Sequence, residues 1–113
     1  MLETLQFIYH VRRSDTLARL ATPQKRAALQ ARRFRHLLKT AVAASPFYRS
    51  RFAGIDLDRC ALSELPILKK SDFIAHFDDI VTDRAIQKED VRQFMNDPAN
   101  LGKKYLGKYV VCH

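Results

Sequence analysis

Residues 22–46 read TPQKRAALQARRFRHLLKTAVAASP, and this stretch decides the fold class. Thr22 offers a hydroxyl to cap a helix, and Pro23 suits the first turn, where no backbone donor is needed. Ala27, Ala31, Phe34, Leu38 and Ala41 then follow at steps of four, three, four and three, which lines them up on one helical face. Lys25, Arg26, Arg32, Arg33, Arg35, His36 and Lys39 fall mostly on the other side. Ala, Leu, Arg and Lys are strong helix formers, so pattern and propensity agree on a helix over 23–44.

Downstream, Ser45-Pro46 repeats the cap-then-proline signal and opens a short helix from Phe47 to Phe52, which Gly54 ends. A loop follows, with one helical turn around Leu62 to Leu65 that Pro66 stops. Ser71 is expected to cap a helix carrying Phe73, Ile74, Phe77 and Ile80 on one side. A further helix, about 87–96, turns Val91, Phe94 and Met95 inward and ends near Asp97-Pro98. Upstream, Leu2, Leu5, Ile8 and Tyr9 follow helical spacing, and Ser14-Asp15 starts a turn carrying Leu17 and Leu20. One bent helix and two short ones both fit that pattern.

The tail differs in kind. Gly107 is followed by Tyr109-Val110-Val111-Cys112, a β-branched and aromatic run that reads as a buried strand. The expected fold is therefore mainly α, about five helices with one short carboxy-terminal strand. It divides into an amino-terminal helical arm over 1–22 and a helical subdomain over 23–113. A strand needs a partner for its backbone groups, and nothing else in the sequence reads as one. The sequence thus reads as a truncated piece, with a sheet expected to follow.

Composition sets the outer limits. The chain has 113 residues, 47% hydrophobic and 28% charged, with only three Gly and four Pro. That profile excludes a disordered chain, a collagen-like repeat and a disulfide-stapled miniprotein. Residues 1–56 hold eleven basic and three acidic side chains, whereas residues 57–113 hold nine of each. The whole excess of +8 therefore sits in the first half. Such a bias fits an anionic partner, a solvated helix face, or a face docked on an acidic part of a larger protein. The apolar runs are short, such as Tyr109 to Cys112, far below the roughly 20 residues that span a bilayer. No signal-peptide core is present in the first twenty residues, and Cys60 and Cys112 make at most one bridge. A reducing cytoplasm is the expected compartment.

Chemistry-bearing residues are sparse. Gly54, Gly102 and Gly107 are isolated, so no Gly-rich phosphate loop is present. Cys112 and His113 are neighbours that a strand would point to opposite faces, while His10, His36 and His76 are scattered, so no metal site is expected. Cys60 lies beside Asp58 and Arg59 with no His close in sequence, a weak candidate nucleophile. Asp78, Asp79 and Asp83 cluster at a helix end, where Asp serves turns. Lys69-Lys70 precedes a helix start, where backbone donors favour phosphate, although a solvated loop explains the pair as well. Asn100, Gly102, Lys103 and Lys104 form a second small basic loop.

The order of several motifs carries a resemblance. Phe34-Arg35-His36-Leu37-Leu38 leads into Ala44-Ser45-Pro46-Phe47-Tyr48-Arg49, then Phe52-Ala53-Gly54. Next come Leu65-Pro66-Ile67-Leu68-Lys69-Lys70 and the Phe73 helix. The last piece, Asp97-Pro98-Ala99-Asn100-Leu101-Gly102-Lys103, runs into Leu106-Gly107-Lys108-Tyr109-Val110-Val111. Over about eighty residues this series resembles the amino-terminal part of the phenylacetate–CoA ligase and coenzyme F390 synthetase group of AMP-forming, adenylate-forming enzymes. The last piece looks most like the F390 synthetase branch. Residues 1–33 carry little of the likeness beyond being helical.

The resemblance implies an intact parent that uses ATP, magnesium and, in its thioester-forming members, coenzyme A to activate a carboxylate. In that family a strand like Tyr109 to Cys112 leads into a Ser/Thr/Gly-rich loop that grips the ATP phosphates. The ATP-binding, adenylating and CoA-accepting residues lie beyond that point, so no catalytic, cofactor-binding or metal position is assigned in this chain. The implied role is structural: helices that pack on the remainder of the adenylating domain, inactive alone, with self-association through exposed apolar faces as a further partner mode. The competing expectation is a small basic helical module that binds nucleic acid or anionic lipid through the 23–44 helix. Phe34, the one aromatic of that helix, lies on its apolar face and not among the arginines, which disfavours base stacking. A third is a stand-alone remnant of the ligase, kept as a partner subunit or as a non-functional product.

Overall fold

The structure, a computed structural model, describes residues 1–20 and 22–112. Six α-helices occur among them: α1 (Leu2–Leu20), α2 (Pro23–Ala44), α3 (Pro46–Arg51), α4 (Lys70–Ala75), α5 (Phe77–Ile80) and α6 (Lys88–Asn96). Two 3₁₀ turns, Leu62–Glu64 and Pro98–Asn100, complete the regular structure. The mainly helical expectation is met. The chain divides into two compact units, Met1–Leu37 and Leu38–His113, with the boundary inside α2.

In the first unit, α1 is one continuous helix. None of its side chains from Leu2 to Arg19 is buried. Thr22 caps α2 as its sequence predicts, its hydroxyl accepting the Lys25 N–H at 3.3 Å. Along the apolar face of α2, Ala27 and Ala31 are exposed and Phe34 is half-buried.

In the second unit, Leu38 is buried and Ala41 is half-buried on the continuation of that face. The last carbonyls of α2 are met by one side chain. Arg49 donates from Nε to the Val42 carbonyl at 3.1 Å and from Nη2 to the Ala43 carbonyl at 2.8 Å. A cation there satisfies orphan acceptors and complements the negative end of the helix dipole.

Ser45 then caps α3 and does more. Its Oγ accepts the Tyr48 N–H at 3.4 Å and donates to the Asp79 carbonyl at 2.7 Å, 34 residues away. The side chain is fully buried. This bond joins the start of α3 to α5, and those two helices pack together. Around them Phe52, Cys60 and Ile80 are buried, and burial of a large apolar side chain such as Phe52 or Ile80 contributes roughly 1.5–3 kcal/mol. Phe52 is the C-cap of α3, and Gly54 at φ +83 completes the turn in the left-handed region that glycine tolerates.

Two expectations for the next helix are corrected. Ser71 does not cap it: the N-cap is Lys69, whose N–H donates to the Asp72 carboxylate at 3.4 Å, so the helix starts earlier. The helix is also broken. His76 leaves helical geometry at φ −116 and ψ 23, and its carbonyl accepts from both Asp79 N and Ile80 N. The break lets the His76 ring lie against Phe47 at 5.4 Å and separates α4 from α5. Ile80 is buried and Phe77 half-buried, but Phe73 and Ile74 remain exposed on α4.

The carboxy-terminal strand expected over Tyr109–Cys112 does not form among the described residues. Tyr109 makes a single antiparallel bridge with Tyr105, with N–H to carbonyl distances of 2.8 and 3.0 Å. Leu106 at φ +51 and Gly107 at φ +69 reverse the chain between them, the paired left-handed geometry of a tight hairpin turn. The ladder stops there for a local reason. Gly102 at φ +76 turns the chain just before Lys103, whose N–H is taken by the Asn100 carbonyl at 2.9 Å. No straight upstream segment remains to pair with Val111, and Val110–Cys112 have no regular structure.

Candidate functional site

In the second unit a cleft of about 480 Å³ lies beside the hairpin. Its size falls in the range of small-ligand sites. Phe94 and Met95, from the last turns of α6, supply one wall, and Val110 and Val111 another. Asp97 caps the following 3₁₀ turn, its carboxylate accepting the Ala99 N–H at 2.9 Å. The amide of Asn100 donates to the Phe94 carbonyl at 3.2 Å and so ties that turn back to α6. Tyr105 is buried against Phe94, edge to face at 5.5 Å. Lys103 and Lys104 stand on the rim. The basic loop singled out in the sequence is thus one edge of an apolar cleft. Asp97 lines the cleft together with Lys103 and Lys104, so its polar residues carry both signs of charge.

The Asp cluster serves the scaffold. Asp78 accepts the Lys88 N–H at 2.6 Å, Asp79 offers its carbonyl to Ser45, and Asp83 accepts the Ala85 N–H at 3.0 Å. Asp83 also accepts the phenol hydroxyl of Tyr109, which pins the hairpin to the loop after α5. That phenol, with the Ala85 N–H and then the Lys108 charge, holds the Asp83 carboxyl below the usual aspartate range. The same hydrogen bond, helped by partial burial, pushes the Tyr109 phenol up.

Lys69 and Lys70 stand exposed at the start of α4, a helix of only six residues. The Lys69 amide there is engaged by the Asp72 carboxylate, which places a negative charge at the helix start. Cys60 is buried, with its N–H donated to the Asp56 carbonyl at 2.8 Å, while Cys112 is exposed. His10 packs edge-on to Tyr9 in the first unit, and His76 lies by Phe47 in the second. His113 lies outside the described residues. No group of three His, Cys, Asp or Glu side chains able to hold a metal occurs among the described residues. No helix described is long and apolar enough to cross a membrane.

One structural residue escaped sequence reasoning. Arg51 donates to the Ile67 carbonyl at 2.6 Å, stacks over Phe47 at 5.3 Å and lies 3.8 Å from the Asp72 carboxylate. It ties α3 to the segment before α4. An Arg in the last turn of a short helix, where Arg49 also lies, carries no local sign of such a tether. Comparison with protein-family models, with curated proteins and with solved structures finds no match for the chain.

Proposed function

We propose that this chain is the amino-terminal helical portion of an ATP-dependent, AMP-forming carboxylate ligase of the phenylacetate–CoA ligase or F390 synthetase kind. Its role is to support the adenylating domain, and it has no adenylating activity alone. ATP, magnesium and coenzyme A belong to the intact parent. The motif order over about eighty residues suggests the family, and one structural observation supports the docking role. In the second unit, Leu62, Ile67, Leu101 and Val110 are 73%, 82%, 92% and 75% exposed, with Phe73 and Ile74 also outward. Scattered single exposures are ordinary, but so many large aliphatic groups on a unit with few buried ones favour a surface that another polypeptide covers.

Complementation tests the reading. An F390 synthetase-type enzyme deleted for its amino-terminal helices is titrated with this chain, and ATP–pyrophosphate exchange is followed with its carboxylate substrate. Restored exchange, together with none from the chain alone, is the expected result. Failure to associate, with the chain monomeric and binding no apolar dye, removes the docking role. A transcript continuing past the codon for His113 into a Ser/Thr/Gly-rich loop would support the parent independently.

A further inference from the structure

The first unit carries two features that the ligase reading does not use. The first is the amino-terminal half of α1. Glu3, Gln6, His10 and Arg13 recur at steps of three, four and three, a single narrow polar line. Leu2, Leu5, Phe7, Ile8, Tyr9 and Val11 occupy most of the rest of the circumference, with Thr4 and Arg12 set among them, and all six are exposed, Leu5 by 60% and Phe7 by 69%. A helix apolar over so wide an arc is normally covered. The second is a hollow of about 270 Å³ where α1 and α2 bring His10, Arg13, Arg32 and Arg33 together, with no acidic side chain in its lining. The unit as a whole has eight Lys and Arg against Glu3 and Asp15, a net charge of +6.

We propose that this unit docks on an anionic lipid surface, with α1 lying in the interface. The wide apolar arc enters the headgroup–acyl boundary, and the arginines of the hollow meet phosphate or carboxylate headgroups. The two signals suit one another, since a buried apolar face and cationic attraction together give stable surface binding. Charge decides between occupants. A second copy of the chain would bring two units of +6 together, which opposes pairing. Nucleic acid would satisfy the arginines but leave the apolar arc of Leu5, Phe7 and Ile8 in water. An anionic membrane surface answers both. The proposal stands apart from the ligase reading, because it uses none of the residues that carry that reading's docking face.

The full chain is sedimented with vesicles of mixed phosphatidylserine and phosphatidylcholine, and with phosphatidylcholine alone. Binding to the mixed vesicles only, weakened by salt, is the expected result. The chain has no tryptophan, so Phe7→Trp reports insertion by a blue-shifted emission that brominated lipid quenches. Leu5→Asp with Ile8→Asp, at exposed positions, is expected to reduce partitioning about tenfold or more, with unfolding of the second unit unchanged. Three outcomes overturn the proposal: no sedimentation with anionic vesicles at low salt, binding that the double variant leaves intact, or a double variant that abolishes self-association and not lipid binding.

Discussion

Replacing Ser45 by alanine removes two interactions at one buried point. The cap on the Tyr48 N–H is lost, which costs about 1 kcal/mol at a typical helix start. The Asp79 carbonyl loses its hydroxyl donor as well, and an acceptor left without a partner costs about 1–3 kcal/mol. The two losses share one oxygen, so simple addition overstates them, and about 2–3 kcal/mol is expected. Against a typical stability of about 5–15 kcal/mol this is a severe change. In a unit of this size it lowers the unfolding midpoint by roughly 10–20 °C. Urea and thermal unfolding followed by far-ultraviolet circular dichroism measure it. Asp79→Ala is the control, because that residue acts through its main-chain carbonyl and its side chain is exposed, so a loss below about 1 kcal/mol is expected. A Ser45→Ala protein within about 0.5 kcal/mol of the parent would refute the bridging role, since that is the scatter of ordinary surface substitutions.

Tyr109→Phe keeps the hairpin bridge and removes the phenol from Asp83, so the Asp83 titration moves up toward that of an ordinary aspartate. In the parent, the depressed Asp83 value contributes stability that is present above the unfolded aspartate range and lost as pH falls through the folded value. The raised Tyr109 value contributes stability that is present below the unfolded phenol range and lost as pH rises through the folded value. The variant is expected to flatten both limbs of the stability–pH curve, and a carboxyl NMR titration that leaves Asp83 unmoved would contradict the pairing. At the hairpin, Gly107→Ala meets no atom within 4 Å, so its cost is the left-handed backbone alone, about 1 kcal/mol in urea unfolding. Leu106→Asn at φ +51 is expected to gain about 0.5 kcal/mol in the same assay, because asparagine tolerates that geometry better than leucine.

The contrast between α2 and the hairpin shows which signals travel with sequence. The apolar steps of Ala27 through Ala41 and the Thr22-Pro23 and Ser45-Pro46 caps depend on groups within one or two turns, and the helices start where those residues say. Asp97-Pro98 likewise marks the end of α6 and caps the next turn. The misread elements depend on distant or competing partners. Tyr109 to Cys112 has strand composition, but Gly102 and the Leu106-Gly107 turn consume the neighbouring chain before a ladder extends. The helix carrying Phe73 and Ile80 has the right periodicity, yet the contact of His76 with Phe47 falls at a break in it. The candidate cleft was visible only as its basic edge, Lys103 and Lys104, because its apolar walls come from α6 and the tail.

By itself, then, the sequence determined the helical class, the caps that open α2 and α3 and the basic bias of the first half. Tertiary structure alone decided that Ser45 holds Asp79, that Asp83 holds Tyr109, and that the apolar arc of α1 stays uncovered. Hydrogen bonds within a helix or a cap close over three or four residues and are written in local order. Bonds across 26 or 34 residues exist only once the path of the chain has brought their ends together.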